Sequence, residues 1–487
     1  MNLNNEEQET RKKGINTSSK ILLLMIGCIF VIILLLAIIL MSSGKTEKFK
    51  IYVDDNEMDV NSEILLYTVD DITYVNIEEF SKLVGYEYHK GEYKASTIDE
   101  NKCYVESKNE TSSFYLNENK IYKLAIEKQA EQYAEYEMEN SVQSINEKMY
   151  LPLEGIQQAF NILVSIPETN DKLQIYTLEY LVKLYDKSVT QWGYASISDQ
   201  SFENKKALLY GFLIVKKQGT EETTTNGLYK IINTDNTKEI VLDRYTSIEF
   251  SENIEGFLVT DTLKKVGIIN FDGSTKIENS YDSISLLDKK SSLYIVELNK
   301  KYGVVSDKGA SLIYPEYDSI GIENIVTENK YLILNELIPV CKDKKWGAFN
   351  KNGKLIFDMV YDELGYSLTS VTIEGVKELV KPILAIERAN GVVVKKNGKY
   401  GLLSTTGEEL VPIVVEAIYE TSWAENENSK YFMLYNGEEL NVIERLIRAD
   451  KIKKETNNND DNKEINNSIK DNENKAIENK IDEIYSN

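Results

Sequence analysis

Imidazole is nearly absent from this chain: His89 is the single histidine among 487 residues. Zinc sites, copper sites and most general-base arrangements draw on imidazole, so their usual versions are excluded. Cysteine is almost as scarce. Of the three, Cys28 lies in an apolar run and Cys103 and Cys341 stand far apart, which leaves no disulfide framework and no CxxC metal site. Basic residues are outnumbered, 56 Lys and Arg against 79 Asp and Glu, for a net charge of −23. Nucleic-acid binding needs clustered Lys and Arg to replace phosphate counterions, so no nucleic-acid partner is expected. The nucleophile elbow GxSxG, the Walker A loop and HExxH are all missing. A Cys–His pair would have to join Cys103 or Cys341 to His89, with nothing to suggest contact. No cofactor is called for, and the chain does not read as an enzyme.

Residues 21–41, ILLLMIGCIFVIILLLAIILM, carry no charge. At the helical rise of 1.5 Å per residue they span about 31 Å, the thickness of a bilayer's hydrocarbon core. A cleaved signal peptide has a shorter apolar centre and a small-residue cleavage site, and Met41-Ser42-Ser43-Gly44 is a poor one. The segment therefore reads as a retained single-pass transmembrane helix. Arg11, Lys12, Lys13 and Lys20 precede it and Lys45, Lys48 and Lys50 follow, a small bias toward a cytoplasmic N-terminal tail, residues 1–20, with the bulk of the chain extracytoplasmic.

From residue 49 the sequence FKIYVDDNEMDV gives an alternating strand, a turn at Asp54–Asn56 and more strand. The stretch ITYVNIEEFSKLVGYEY then runs from a strand into a helix, with Ile77, Phe80, Leu83 and Val84 on one face and Gly85 as the stop. The same grammar returns in MYLPLEGIQQAFNILVSIPETNDKLQIYT, residues 149–177, with a helix carrying Ile156, Ala159, Phe160 and Leu163. Two such halves imply one small α+β domain, residues 49–178. Between them, residues 121–139 (IYKLAIEKQAEQYAEYEME) read as a charged, solvated helix, and His89 as a turn residue on the surface.

The pattern IYVDD…YVNIEEFSKLVGYEY…YLPLEGIQQAFNILVSI…LQIYT resembles the copper amine oxidase N-terminal-like stalk domain of bacterial surface proteins. The resemblance covers about 130 residues and departs from the usual Pro-Leu at Val75-Asn76-Ile77. Its name suggests copper, but the domain offers only His89 and Cys103 as donors of the kind copper prefers.

A connector, residues 179–206, includes Gln191-Trp192-Gly193, which lacks a turn glycine at the right distance. An apolar strand at residues 207–216 then opens a series of turn units: YKIINTDN, VGIINFDG, YGVVSDKG, WGAFNKNG and YGLLSTTG, starting at Tyr229, Val266, Tyr302, Trp346 and Tyr400. A tyrosine closes each, at Tyr245, Tyr281, Tyr317 and Tyr361, slipping to Tyr419 in the fifth. Gly267, Gly303, Gly347 and Gly401 remove a side chain where another backbone or ring must approach. Gly273, Gly309, Gly353 and Gly407, with Asn236 as the one substitute, mark hairpin turns that need φ > 0. A further strand is expected before each later unit, at residues 256–259, 293–296, 331–334 and 383–386. Asp282, Asp318 and Asp362 recur at one repeat position, which points to a turn role rather than to a catalytic pair. No unit has a core of its own, so neighbours must stack. The series resembles the WG-repeat, or KWG-repeat, family of bacterial proteins. That resemblance covers about residues 207–419 and implies a five- or six-bladed β-propeller or an open β-meander stack.

Residues 446–487, rich in Asn, Lys, Glu and Asp, read as a disordered polar tail. The 32 tyrosines mostly close repeats or fill layers, and some could seat a sugar ring or a peptide. The expectation is a mainly β chain: a single transmembrane helix, a stalk-like α+β domain and a β-repeat array over residues 207–445. In function it reads as a membrane-anchored extracytoplasmic binding or scaffolding protein of a bacterial cell envelope, recognising a protein or cell-wall ligand. The alternative is a carboxylate-based cell-wall glycan hydrolase.

Overall fold

The computed structural model describes residues 50–60, 65–70, 72–95, 98–126, 133–165, 172–218, 228–234, 236, 239–323, 330–365, 370–373, 376–379, 381–421, 424 and 426–446. The expected membrane span, the tail before it and the polar tail after residue 446 lie outside these residues. Among the described residues no helix is long and apolar enough to cross a membrane. Strand dominates, and the chain divides into two compact units, residues 1–280 and 281–487.

The first unit opens with an α+β domain. Strands β1 (Lys50–Val53) and β2 (Asn56–Met58) form a hairpin whose turn places Asp54 and Asp55 at φ 51° and 65°. Strands β3 (Leu66–Val69) and β4 (Ile72–Asn76) lead into helix α1 (Ile77–Val84). Asn76 caps α1 by accepting from the Glu79 N–H at 3.1 Å, and Gly85 ends it in the left-handed region at φ 78°. Next comes a five-stranded antiparallel meander: β5 (Glu87–Lys90), β6 (Lys102–Glu106), β7 (Glu110–Tyr115), β8 (Lys120–Ala125) and β9 (Tyr133–Glu137). Strands β10 (Gln143–Ile145) and β11 (Lys148–Pro152) precede helix α2 (Ile156–Phe160), and β12 (Ile162–Ser165) and β13 (Lys172–Thr177) complete the domain. Its other two sheets run β12-β13-β1-β2, with β1 and β13 parallel, and β10-β11-β4-β3. One core joins all three, including Ile51, Val75, Cys103, Phe114, Ile121 and Ile175. The helices of the two halves meet there through Phe80 and Phe160, ring centres 4.9 Å apart.

Three local expectations are corrected. The stretch read as a charged helix supplies β8 and β9 on either side of residues 127–132, which lie outside the described residues. Its helix-forming composition yields to pairing with β7, because Ile121 and Lys123 must both reach the buried face. Helix α2 stops at Phe160, since Asn161 turns left-handed at φ 46°, so Leu163 lies in β12. His89 sits in β5 rather than in a turn, stacked on Tyr104 at 4.7 Å.

The connector is ordered. Thr177 caps helix α3 (Leu178–Gln191) and is itself held by Asp54, which accepts from its N–H and its hydroxyl at 2.7 Å each. Leu178, Leu181, Val182 and Val189 of α3 pack with Leu208, Leu209, Leu213 and Val215. Trp192 and Gly193 end this helix. Helix α4 (Phe202–Lys206) follows, and residues 207–210, expected as strand, form a 3₁₀ turn ended by Gly211 at φ 80°.

Six antiparallel repeat sheets follow among the described residues. The first has three strands, Phe212–Lys216, Tyr229–Asn233 and Glu239–Tyr245. The second has four, Ser247–Ser251, Gly256–Thr260, Val266–Asn270 and Thr275–Tyr281, and ends at the boundary of the first unit.

The second unit holds the other four. The third sheet comprises Ser283–Asp288, Leu293–Leu298, Lys301–Ser306 and Ser311–Tyr317, in chain order. The fourth comprises Ser319–Ile320, Leu337–Lys342, Lys345–Asn350 and Leu355–Tyr361. The fifth is built on Glu363–Leu364, Gly391–Lys396, Lys399–Ser404 and Glu409–Val415. The sixth comprises Ala417–Glu420, Tyr431–Tyr435 and Glu438–Asn441, with Lys381–Pro382 beside its first strand. Two of the strands expected before the turn units are misplaced. In the fourth sheet the second strand is Leu337–Lys342, and Pro339 within it hid the pattern. In the fifth it is Gly391–Lys396; the expected strand survives only as Ala385–Ile386, which pairs with its start across the turn formed by the insert at 387–390.

Candidate functional site

Among the described residues, two constructions organise polar side chains into a recurring or buried arrangement. The first is the repeat unit. Tyr302 pairs with Tyr317, and Trp346 with Tyr361, across the third and fourth strands of their sheets. Two residues farther on, the pairing has skipped: Val304 faces Ile313 and Ala348 faces Phe357. Gly303 thus stands opposite three residues, 314–316, where the outer strand bulges. A Cβ on Gly303 would lie 2.5 Å from the Ile313 carbonyl oxygen. The same contact is 2.7 Å for Gly267 with Ile277, 2.6 Å for Gly347 with Phe357 and 2.8 Å for Gly401 with Val411. The aromatic–Gly pair therefore marks where the bulged outer strand crosses its neighbour.

The turn glycines Gly273, Gly309, Gly353 and Gly407 have φ of 85°, 71°, 79° and 92°, and Asn236 has 55°. Gly353 also leans on the preceding sheet, where a Cβ would come 2.5 Å from the Leu312 carbonyl oxygen. In the fifth unit the partner of Tyr400 is Val415, not Tyr419. Tyr419 belongs to the sixth sheet, where it is fully buried and donates its hydroxyl to the Glu439 carboxylate. Tyr281 ends the second sheet, half-buried.

Each junction between sheets in the second unit repeats one hydrogen-bond pattern. After the closing residue, the next N–H donates to the second strand of the following sheet: Asp318 to Cys341, Asp362 to Lys395 and Glu416 to Leu434, at 2.7–2.9 Å. The aspartate side chain adds a second bond. Asp318 accepts from the Asp343 N–H at 2.8 Å and Asp362 from the Asn397 N–H at 2.6 Å, at hairpin turns with two successive positive φ values. Asp282 does the same within the third sheet, accepting from the Asn299 N–H at 2.7 Å. The other oxygen takes a lysine of its own sheet, Lys301 with Asp318 at 2.5 Å and Lys345 with Asp362 at 2.6 Å. These lysines, then the backbone N–H groups, hold both carboxyls below their ordinary value. The sixth sheet ends the pattern: Glu439-Leu440 stands where the aromatic–Gly pair would be, and no fourth strand follows among the described residues.

The second construction, in the first unit, was invisible in the sequence. Glu110 at the start of β7, Lys123 in β8, Lys206 at the end of α4 and Glu252 just after the first strand of the second sheet are all buried. Lys123 pairs with Glu110. Lys206 bridges Glu252 at 2.7 Å and Glu110 at 3.4 Å, and also reaches the less buried Glu203 at 3.0 Å. Tyr136 and Tyr210 donate their hydroxyls to Glu252 at 2.9 and 3.1 Å. Asn161, the left-handed cap of α2, accepts from Lys123 at 2.6 Å and donates to Glu110 at 2.7 Å. Burial alone would raise both glutamates. Lys206 and Lys123 outweigh it, holding Glu110 low and Glu252 at about 2. Burial and the two glutamates act oppositely on Lys206, and the glutamates win, raising it. Burial and then the Glu252 charge raise Tyr136 and Tyr210, keeping their hydroxyls protonated donors.

A cleft of about 290 Å³ lies beside this network, lined by Asn109, Ala125 and residues 201–204 and 247–249. Its walls are tied: Asn204 donates to the Ile248 carbonyl at 3.0 Å and accepts from the Phe250 N–H at 2.9 Å. The donors copper would want do not converge. Cys103 is fully buried, its thiol pushed up to about 12 by burial, whereas His89 pairs with Tyr104 on the opposite face of the same sheet. A copper site does not fit this domain.

Comparisons with known proteins bear on the repeats. No curated protein matches the chain. Among solved structures, it is similar to dihydro-heme d1 dehydrogenase NirN in complex with DHE at 7% identity, over 69% of this chain and 67% of that one, with a TM-score of 0.19. Apo AztD from Citrobacter koseri shows 10% identity over 73% and 86%, with a TM-score of 0.20. A functionally unknown protein from Desulfotomaculum acetoxidans shows 10% over 69% and 96%, with a TM-score of 0.16. Likenesses this slight carry no argument about fold or function. The WG containing repeat model matches residues 302–346 and 346–367, from the third strand of the third sheet through the fourth sheet into the first strand of the fifth, so this stretch is similar to WG-containing repeats.

Proposed function

We propose that this protein is a membrane-anchored, extracytoplasmic binding or scaffolding protein of a bacterial cell envelope, without catalytic activity, that recognises a protein or cell-wall ligand through its β-repeats. The observation that carries this reading is how the repeated polar residues are used. Asp318 and Asp362 each engage a lysine and a backbone N–H, which supports a structural role. The paired carboxylates of the first unit, Glu110 and Glu252, are buried among lysines, which argues against a glycan-cleaving pair. The anchor rests on the uncharged run at residues 21–41. The finer architecture belongs to the same proposal. The α+β domain acts as a stalk, and the repeat sheets close into a propeller rather than an open stack.

Protease treatment of intact cells, followed with an antibody to the repeats, tests the topology. Loss of the repeats with a small membrane stub surviving is expected, and repeats protected until lysis would overturn the envelope reading. Pull-downs from envelope fractions, with and without residues 1–44, test the binding role. Partners captured only when the anchor is present are expected, and an unchanged, empty capture would count against it.

A further inference from the structure

We propose that the buried Glu110–Lys123–Lys206–Glu252 network is an orientation lock, fixing the angle between the α+β domain and the first repeat sheets and so setting the width of the cleft between them. The four charges come from three pieces: β7 and β8 of the domain, helix α4 of the connector, and the turn after the first strand of the second sheet. Apolar side chains of similar size would hold these pieces together about as well. They would also tolerate small slips, because dispersion contacts have little direction.

The network tolerates none. Glu252 receives Lys206, Tyr136 and Tyr210 on two oxygens, and Tyr136 belongs to the domain while Tyr210 belongs to the connector. Glu110 receives Lys123, Lys206 and Asn161. A shift of a few ångströms would leave a buried charge unpaired, a penalty that grows steeply in a low-dielectric interior. The cleft walls move with these pieces. Asn109 adjoins Glu110, Glu203 pairs with Lys206, and residues 247–249 precede Glu252. The lock thus acts on orientation more than on stability.

The test is a distance distribution between two spin labels in the full-length chain. Labels go at Ser144→Cys, exposed in β10, and at Leu263→Cys, 79% exposed in a hairpin of the second sheet. Cys28 is replaced by Ser, and Cys103 and Cys341 are buried from the label. The parent should give one narrow distribution. The quadruple variant Glu110→Leu, Lys123→Met, Lys206→Met, Glu252→Leu should still unfold cooperatively but give a distribution at least about twofold broader. If it does not fold, Glu252→Gln is read instead: it keeps the side chain's shape, removes one charge and turns one of the two accepting oxygens into a donor, and it too should broaden the distribution. An unchanged width in a folded variant overturns the proposal.

Discussion

The two units solve one problem, joining neighbouring pieces of β-structure, by opposite means. The first unit joins its α+β domain to its repeats through four buried charges, used once and with every partner distinct. The second joins sheet to sheet through a backbone hydrogen bond supplemented by a solvent-exposed aspartate, repeated with little change. The difference is one of dielectric. A charge in water is cheap to keep and cheap to lose, so it can be repeated and can drift, as Glu416 replacing Asp shows at the last junction. A charge in the interior requires all its partners at once, so it appears where a single geometry must be specified.

The sharpest way to break this comparison is Lys206→Met. It leaves Glu110 and Glu252 facing a methionine, and chemical denaturation should show a loss of about 3–5 kcal/mol in the first unit. Acid should single out the same unit. Glu252 titrates near 2 in the folded protein against its ordinary 4.5. A lowered folded value stabilises above the unfolded pKa and is lost as protons bind, so the first unit should weaken as pH falls from about 4.5 toward 2. Melting followed at several pH values, with Glu252→Gln as control, measures this, and an identical acid response in that variant would refute it.

In the second unit the largest effect should come from the bulge. Gly303→Ala places a methyl against the Ile313 carbonyl and should cost about 1–3 kcal/mol, whereas Gly398→Asn, at a left-handed turn with open space, should be near neutral. Smallest of all should be Asp318→Asn, which loses the lysine pair but keeps an oxygen for the Asp343 N–H. A midpoint shift within experimental error is expected, and a shift as large as that of Lys206→Met would erase the distinction between the two kinds of junction.

The repeat was legible because its constraints are local. A hairpin needing φ > 0 selects Gly or Asn, and a crossing backbone selects Gly, wherever the unit recurs. Legibility failed where a partner distant in sequence decided the outcome. Residues 121–125 carry helix-forming side chains, yet β7 claims them as strand. Pro339 masks a central strand that keeps its place because the Pro339 carbonyl still accepts from Gly321. Tyr419 has the right residue type at a displaced position, and only strand pairing shows that Val415 is the true partner of Tyr400. The buried network left no signal at all, since its four members lie as much as 142 residues apart, from Glu110 to Glu252, in no pattern.

By itself the sequence determined the mainly β class, the recurrent turn unit and the exclusion of an imidazole-rich metal centre, all properties of residue type and short spacing. The tertiary structure decided which residue closes each sheet, which strands Pro339 and the inserts displaced, and that Glu110, Lys123, Lys206 and Glu252 meet. Those outcomes depend on which surfaces are taken out of water together. Burial of that kind is set by contacts between distant segments, and no local pattern encodes it.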